Sequence, residues 1–251
     1  MKSKSKSKSK IWKIVASIIA VLLVIVIAGL VWLRMSIYPA RDDAVEAYNS
    51  SNVSETSQYI KFDAPHETAN IVFVGGALVD LKAYSYMAEE LSKDSIDVYL
   101  VKSPYSLPIL NAQSASHIIS SLHLTNVYLA GHSLGGVMAA ANIKNGAHIH
   151  QLHVQGLIFL ASYPNTDNDL SKTHLHVLSL TASHDTVLNR SQWNKARQRL
   201  PHDTSYREIK GGNHAGFGIY GAQKGDGKAT ISVKSQQRQI IQSIVETVHK
   251  K

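Results

Sequence analysis

The chain has 251 residues, 44% of them hydrophobic, which is enough for one sizeable core and excludes a wholly disordered or collagen-like protein. Its formal charge of +8 would suit a nucleic-acid binder, but Lys2, Lys4, Lys6, Lys8, Lys10, Lys13 and Arg34 carry seven of the positive charges and no acid precedes residue 35. Removing those seven leaves +1, so the basicity belongs to a tail and nucleic acid is excluded as a partner of the folded domain.

The tail, residues 1–10, contains "KSKSKSKSK", a low-complexity alternation with no apolar face on which to fold, and it is predicted to be disordered. Ile14 to Trp32 then run for nineteen residues without a charge, which approaches the thickness of a bilayer core. Trp12 and Trp32 flank this run and lysines crowd only its N-terminal side. The positive-inside rule therefore predicts a transmembrane signal anchor at residues 11–34, with the N-terminus cytoplasmic and the rest extracellular. A cleaved secretory signal has the same charge layout, but its apolar core is shorter and ends in small residues, which "AGLVWLRMSIYPA" does not offer. The absence of cysteine leaves no thiol for a disulfide or a lipid anchor.

Residues 35–58 are polar and Ser/Asn-rich, as in a linker, with room for a short helix at Asp42 to Tyr48. From residue 59 to 251 the pattern alternates. Apolar runs at Tyr59 to Phe62, Asn70 to Val74, Asp97 to Lys102, Asn126 to Ala130, Gln155 to Ala161, His174 to Leu180 and Ser205 to Ile209 read as strands. Helical segments are predicted at Lys82 to Ser92, Ala112 to Leu122, Gly136 to Ile143, Ser191 to Leu200 and Ser232 to Lys250. Alternating strands and helices imply βαβ units, a mostly parallel central sheet and helices on both faces, the α/β class.

Gly131-His132-Ser133-Leu134-Gly135 is a G-x-S-x-G pattern between an apolar strand and a helix. A serine at such a sharp turn has its hydroxyl held out over the strand ends. The N–H of Leu134 is left free at a helix N-terminus, where both the donor and the dipole favour a developing oxyanion. Serine needs a base and an orienting acid, which in this type of elbow follow in the order Ser, Asp or Glu, His. "GGNHAGFGIYG" places His214 in a glycine-rich loop after the last predicted strand, and "TASHDTV" places Asp185 just past the strand before it. Asp203 and Asp226 are the minor alternatives as acid, and His184 and His202 as base.

His132 is read as a packing residue of the turn. The alternation of His148, His150 and His153 fits the entry to a strand, and with no carboxylate beside them no metal is predicted. A second oxyanion donor is expected in the loop after Asn70 to Val74, where "VGGA" offers Gly76 first and Ala77 second.

Together, "VFVGGALVDLKAYSYMAEEL", "AGHSLGGVMAA", "TASHDTV" and "GGNHAGFGIYG" make residues 59–251 resemble the α/β-hydrolase superfamily. More narrowly, they resemble its small lidless members related to dienelactone hydrolase, often found behind an N-terminal anchor in Gram-positive bacteria. The resemblance implies Ser133 as nucleophile, Asp185 as acid, His214 as base, and Gly76 with Leu134 as the oxyanion hole. The chain departs from the broad pattern in having Val74-Gly75 where a His-Gly pair is usual.

The expected activity is hydrolysis of small or short-chain carboxylic esters, with no cofactor and a small-molecule ester as partner. An acyltransferase acting on cell-envelope polymers, or a silent tethered binding protein, would use the same residues. Oligomeric state is not encoded in these motifs. The twelve residues "SYPNTDNDLSKT" between Ala161 and His174 are too polar to build a helical lid, so selectivity for long acyl chains is not expected.

Overall fold

The protein is described by a computed structural model, which covers residues 3–50 and 52–250. It forms two units, one holding the N-terminal helix and one running from Tyr38 onward.

The first unit is the helix α1 (Ser3–Met35). Within it Val15–Met35, 21 residues, is long and apolar enough to cross a membrane. At 1.5 Å per residue it is about 30 Å long. The helix also takes in Ser3 to Lys10, where no folded structure was expected; Lys2 lies outside the described residues. Propagating an existing helix fixes one residue per hydrogen bond gained, and lysine is a good helix former, so the apolar segment can extend into the tail.

The second unit opens with α2 (Asp42–Ser50), where the sequence left room for a short helix, and β1 (Val53–Glu55), so half of the segment read as a linker is in regular structure. The signals there are weak: α2 buries only Ala44 and Ala47, and β1 is a three-residue edge strand. β2 (Tyr59–Phe62), β3 (Ala69–Val74), β4 (Ile96–Val101), β5 (Val127–His132), β6 (Val154–Leu160), β7 (His176–Ala182) and β8 (Ser205–Ile209) match the predicted strands within two residues. The sheet order is β1-β2-β4-β3-β5-β6-β7-β8, with β1 and β2 antiparallel to their neighbours and the rest parallel.

β3, β4 and β5 are buried at every position, as continuous apolar runs covered on both faces must be. One face carries α3 (Ser85–Lys93) and α7 (Val233–Val248), whose Met87, Leu91, Ile240 and Ile244 meet Ile71, Phe73 and Leu100. The other carries α4 (Ser114–Leu122) and α5 (Leu134–Ala141), whose Ile118, Ile119, Met138 and Ala139 meet Val72, Leu129 and Phe159. α6 (Arg190–Ala196) joins this second face through Trp193, whose Nε1 donates to Ser179 Oγ at 3.0 Å. The chain leaves β3, β5, β7 and β8 at the same sheet edge, and the candidate residues lie in the loops that follow them.

Candidate active site

β5 ends at His132 and α5 begins at Leu134, so the whole reversal falls on Ser133, at φ 52° and ψ −126°. A non-glycine residue rarely takes positive φ, and such strain persists where the surrounding structure enforces it. Its flanking glycines are a matter of space. A Cβ on Gly131 would lie 2.5 Å from Gly136 N, and one on Gly135 2.1 Å from Val74 O. The turn is braced by Ser133 N donating to Leu160 O at 3.0 Å and by Ser162 Oγ donating to Ser133 O at 2.6 Å. Ser133 is half-buried while Gly131 and His132 beneath it are buried. Leu134 N–H, in the first turn of α5, has no acceptor among the described residues.

Asp185 and His214 meet in the neighbouring loops. Asp185 lies three residues past β7, and its Oδ1 accepts the N–H groups of Val187 (2.9 Å) and Leu188 (2.8 Å). Its Oδ2 lies 2.9 Å from His214 Nδ1. The two residues are 6% and 1% exposed. Burial pushes the Asp185 carboxyl upward, but the hydrogen bond and charge of His214 and the two backbone N–H groups outweigh it, so the carboxyl sits below its ordinary range. With Nδ1 committed to Asp185, Nε2 is the nitrogen of His214 left for chemistry. The His132 ring, one residue from Ser133, lies 4.6 Å centroid to centroid from the His214 ring, so the His214 imidazole stands beside the elbow.

Residues 70–238, more than half of the chain, match the alpha/beta hydrolase family. The chain belongs to the alpha/beta hydrolase family. A search of curated proteins returned no match. The fold of this alpha/beta hydrolase is shared with a putative esterase from Staphylococcus aureus at 12% identity and TM-score 0.59, covering 80% of this chain and 84% of that one. A CIB-like hydrolase from Thermoplasma acidophilum gives 13% identity and TM-score 0.57, with 78% and 98% covered. Paleococcus ferrophilus monoacylglycerol lipase gives 15% and 0.56, with 78% and 99% covered.

The remaining candidates separate clearly. Gly76, the first choice as second oxyanion donor, already gives its N–H to Tyr84 Oη at 2.8 Å; Ala77 N–H has no acceptor among the described residues. His184 lies beside the acid, but its Nδ1 donates to Lys228 O at 2.8 Å. His202, Asp203, His148, His150 and His153 are exposed, and no group of three or more potential ligands gathers to hold a metal among the described residues. Asp226 does not meet the His214 ring. Its Oδ2 accepts Ala215 N (2.8 Å) and its Oδ1 accepts Gly227 N (2.8 Å) and, at 3.4 Å, Thr186 N, so it ties the loop of His214 to the loop of Asp185.

Two cavities flank the site, and Ser133 lines neither. One of about 680 Å³ is walled by Arg41, Asn213, Ala215, Asp226 and Gln236. Another of about 210 Å³ is walled by Gly75, Gly76, Val79, Leu81, Val101 and Pro108. Between β6 and β7 no helix forms, so no cap covers the elbow from that side. Sequence reasoning missed Tyr84, Ser162 and the bracing role of Asp226. Tyr84 reads as a core residue of an amphipathic helix, and nothing in its spacing announces that its hydroxyl reaches Gly76.

Proposed function

We propose that this alpha/beta hydrolase is a serine esterase with Ser133 as nucleophile, His214 as general base and Asp185 as the acid that orients it. The observation that carries this reading is the buried 2.9 Å contact between His214 Nδ1 and Asp185 beside the strained turn at Ser133. Ser133 Oγ attacks the ester carbonyl carbon and gives its proton to His214 Nε2. The oxyanion is held by the N–H groups of Leu134 and Ala77, neither of which has an acceptor among the described residues. Collapse breaks the ester bond, and the leaving alkoxide takes the proton from His214 and departs as alcohol. Water then attacks the acyl-serine, passing its proton through His214 back to Ser133, and the carboxylic acid leaves. Every step uses groups of the chain itself.

Carboxylic esters are the preferred substrate class because similar folds include proteins described as an esterase and a lipase. α1 acts in this reading as a signal anchor, with the N-terminus cytoplasmic and the hydrolase outside, supported by the one-sided lysines and an apolar stretch of 21 residues. The test uses the full-length protein in detergent. Wild type should hydrolyse p-nitrophenyl acetate and take a fluorophosphonate label, and Ser133→Ala should do neither. Hydrolysis surviving in that variant removes the reading. Protease added to intact cells should remove the domain while the mature protein keeps its N-terminal lysines; a protected domain contradicts the topology.

A further inference from the structure

Two of the buried titratable groups that the esterase mechanism leaves without a task, Tyr84 and His132, are joined. Tyr84 Oη accepts the Gly76 N–H at 2.8 Å and lies 2.9 Å from His132 Nδ1. Burial raises the phenol far above its ordinary range, against a smaller lowering by the Gly76 N–H. Burial, then the charge of His214, holds His132 well below the usual imidazole range, with the His214 backbone opposing weakly. Both groups are therefore neutral, and a neutral phenol that accepts the Gly76 N–H has its own proton to give, for which His132 Nδ1 at 2.9 Å is the acceptor at hand. Gly76 N–H donates to the phenol, the phenol donates to His132 Nδ1, and His132 carries its own proton on Nε2.

That last nitrogen is buried and makes no hydrogen bond of ordinary geometry among the described residues, the His214 backbone near His132 giving only a weak contact. A phenylalanine would fill the same place, packed against Phe217 and Tyr220, without stranding a polar atom. What imidazole adds there is an acceptor for the phenol, and what the phenol adds is an acceptor for one backbone N–H. That N–H belongs to the residue before Ala77. The fit is close: a Cβ on Gly76 would lie 2.9 Å from His132 Nδ1 and 3.2 Å from Tyr84 Oη. The far side of the loop is pinned too, by Leu78 N donating to Ser106 O at 2.7 Å.

We propose that Tyr84 and His132 are positioning residues of the oxyanion hole: by holding the Gly76 peptide inward they leave the Ala77 N–H as the second donor to the oxyanion. The proposal rests on the esterase reading of the site. An oxyanion donor acts on the transition state and hardly on the bound ester, so losing its alignment lowers kcat and spares KM.

The test compares Tyr84→Phe, His132→Phe and His132→Gln with wild type as full-length proteins in detergent. Active sites are counted with the fluorophosphonate, and amide exchange is followed by mass spectrometry on peptides spanning Gly76. Tyr84→Phe should lose roughly 10- to 100-fold in kcat per labelled site with KM nearly unchanged, and exchange at Gly76 should quicken while that in α5 does not. His132→Phe should follow it, whereas His132→Gln, which keeps an acceptor for the phenol, should recover most of the loss. A Tyr84→Phe enzyme within about twofold of wild-type kcat per labelled site overturns the proposal even if its Tm falls, because that is what a purely structural role gives. Unchanged exchange at Gly76 overturns it whatever the kinetics. A wild type that takes no label, with exchange still quickened in Tyr84→Phe, removes the esterase reading and the catalytic half of this proposal with it, while the hydrogen-bonded chain stands.

Discussion

Asp185 Oδ2 and His214 Nδ1 lie 2.9 Å apart although 29 positions separate them in the chain. The parallel pairing of β7 with β8 brings the two loops together, since each strand delivers its loop to the same edge. Two backbone N–H groups hold the other carboxylate oxygen, so the carboxylate is fixed in its orientation toward His214. Asp185→Asn keeps the shape but removes the charge and can present a donor where His214 Nδ1 needs an acceptor. Turnover should fall by roughly 10³- to 10⁴-fold, with Ser133→Ala and His214→Ala at least as damaging.

The same pair gives a pH signature in stability. The Asp185 carboxyl is held below its ordinary range, so its contribution is complete above the unfolded carboxylate value of about 3.9 and is lost only as pH falls through the lower folded value. The gap in unfolding free energy between wild type and Asp185→Asn should stay constant from pH 7 to about 4 and close below that. Denaturant titrations across this range check it. A gap already closing at pH 6 would mean that the carboxyl is not held ionised by its neighbours.

Ser133 carries a local cost in the turn that exposes it, with φ 52° and ψ −126°. Glycine tolerates this region and alanine does not, so Ser133→Gly should stabilise the fold by about 1 kcal/mol while abolishing hydrolysis, and Ser133→Ala should abolish hydrolysis without that gain. For a domain of this size the gain corresponds to a Tm rise of roughly 2–4 °C. Equal melting temperatures in the two variants would show that the turn is not strained.

How far the sequence foretold this site depends on where each contact is made. The elbow was legible because strand, serine and glycines are contiguous, and Asp185 and His214 because each follows a strong strand signal in the order the chemistry requires. The predicted strand at Ser205 to Ile209 agrees with β8 residue for residue. The short helix expected at Asp42 to Tyr48 is α2, whereas β1 was not legible because a three-residue edge strand buries too little to leave a period. Tyr84 and Asp226 were invisible in their roles for another reason: their partners, at Gly76, Ala215 and Thr186, are backbone N–H groups, which every sequence position offers alike. The preference for Gly76 over Ala77 met the same limit, since the choice between two adjacent N–H groups is made by a phenol eight residues on.

Asp226 uses both oxygens on backbone donors, one set in the base loop and one in the acid loop. Asparagine has a single acceptor oxygen, so Asp226→Asn must leave at least one of these N–H groups facing another donor. The variant should lose about 1–3 kcal/mol of stability and, as the two loops part, roughly tenfold in kcat/KM. Asp203→Asn, exposed and outside this network, should change neither quantity. Thermal melts together with ester kinetics on both variants decide it, and an Asp226→Asn protein that melts and works like wild type would show that the clamp is dispensable.

The last prediction concerns the size of the acyl chain. No helix stands between β6 and β7 to roof the elbow, and the cavity beside Gly76 measures about 210 Å³, small for more than a short chain. Each buried methylene is worth about 0.8 kcal/mol, roughly fourfold in affinity, and that gain ends where the wall ends. p-Nitrophenyl acetate and butyrate should therefore be turned over with higher kcat/KM than laurate or palmitate, without activation at a lipid interface. The counterweight is the loop at residues 102–110, whose Tyr105, Ile109 and Leu110 are 45%, 58% and 57% exposed. Its backbone holds Tyr105 and Ser106 at positive φ, and Ser106 O accepts the Leu78 N–H of the oxyanion segment. These side chains are placed to touch a longer substrate only if the loop folds over the elbow, and then Ile109→Ser with Leu110→Ser should cost long esters far more than acetate. Rates that climb from acetate to palmitate in wild type and flatten in that double variant would assign the loop the work of a lid and end the short-ester reading.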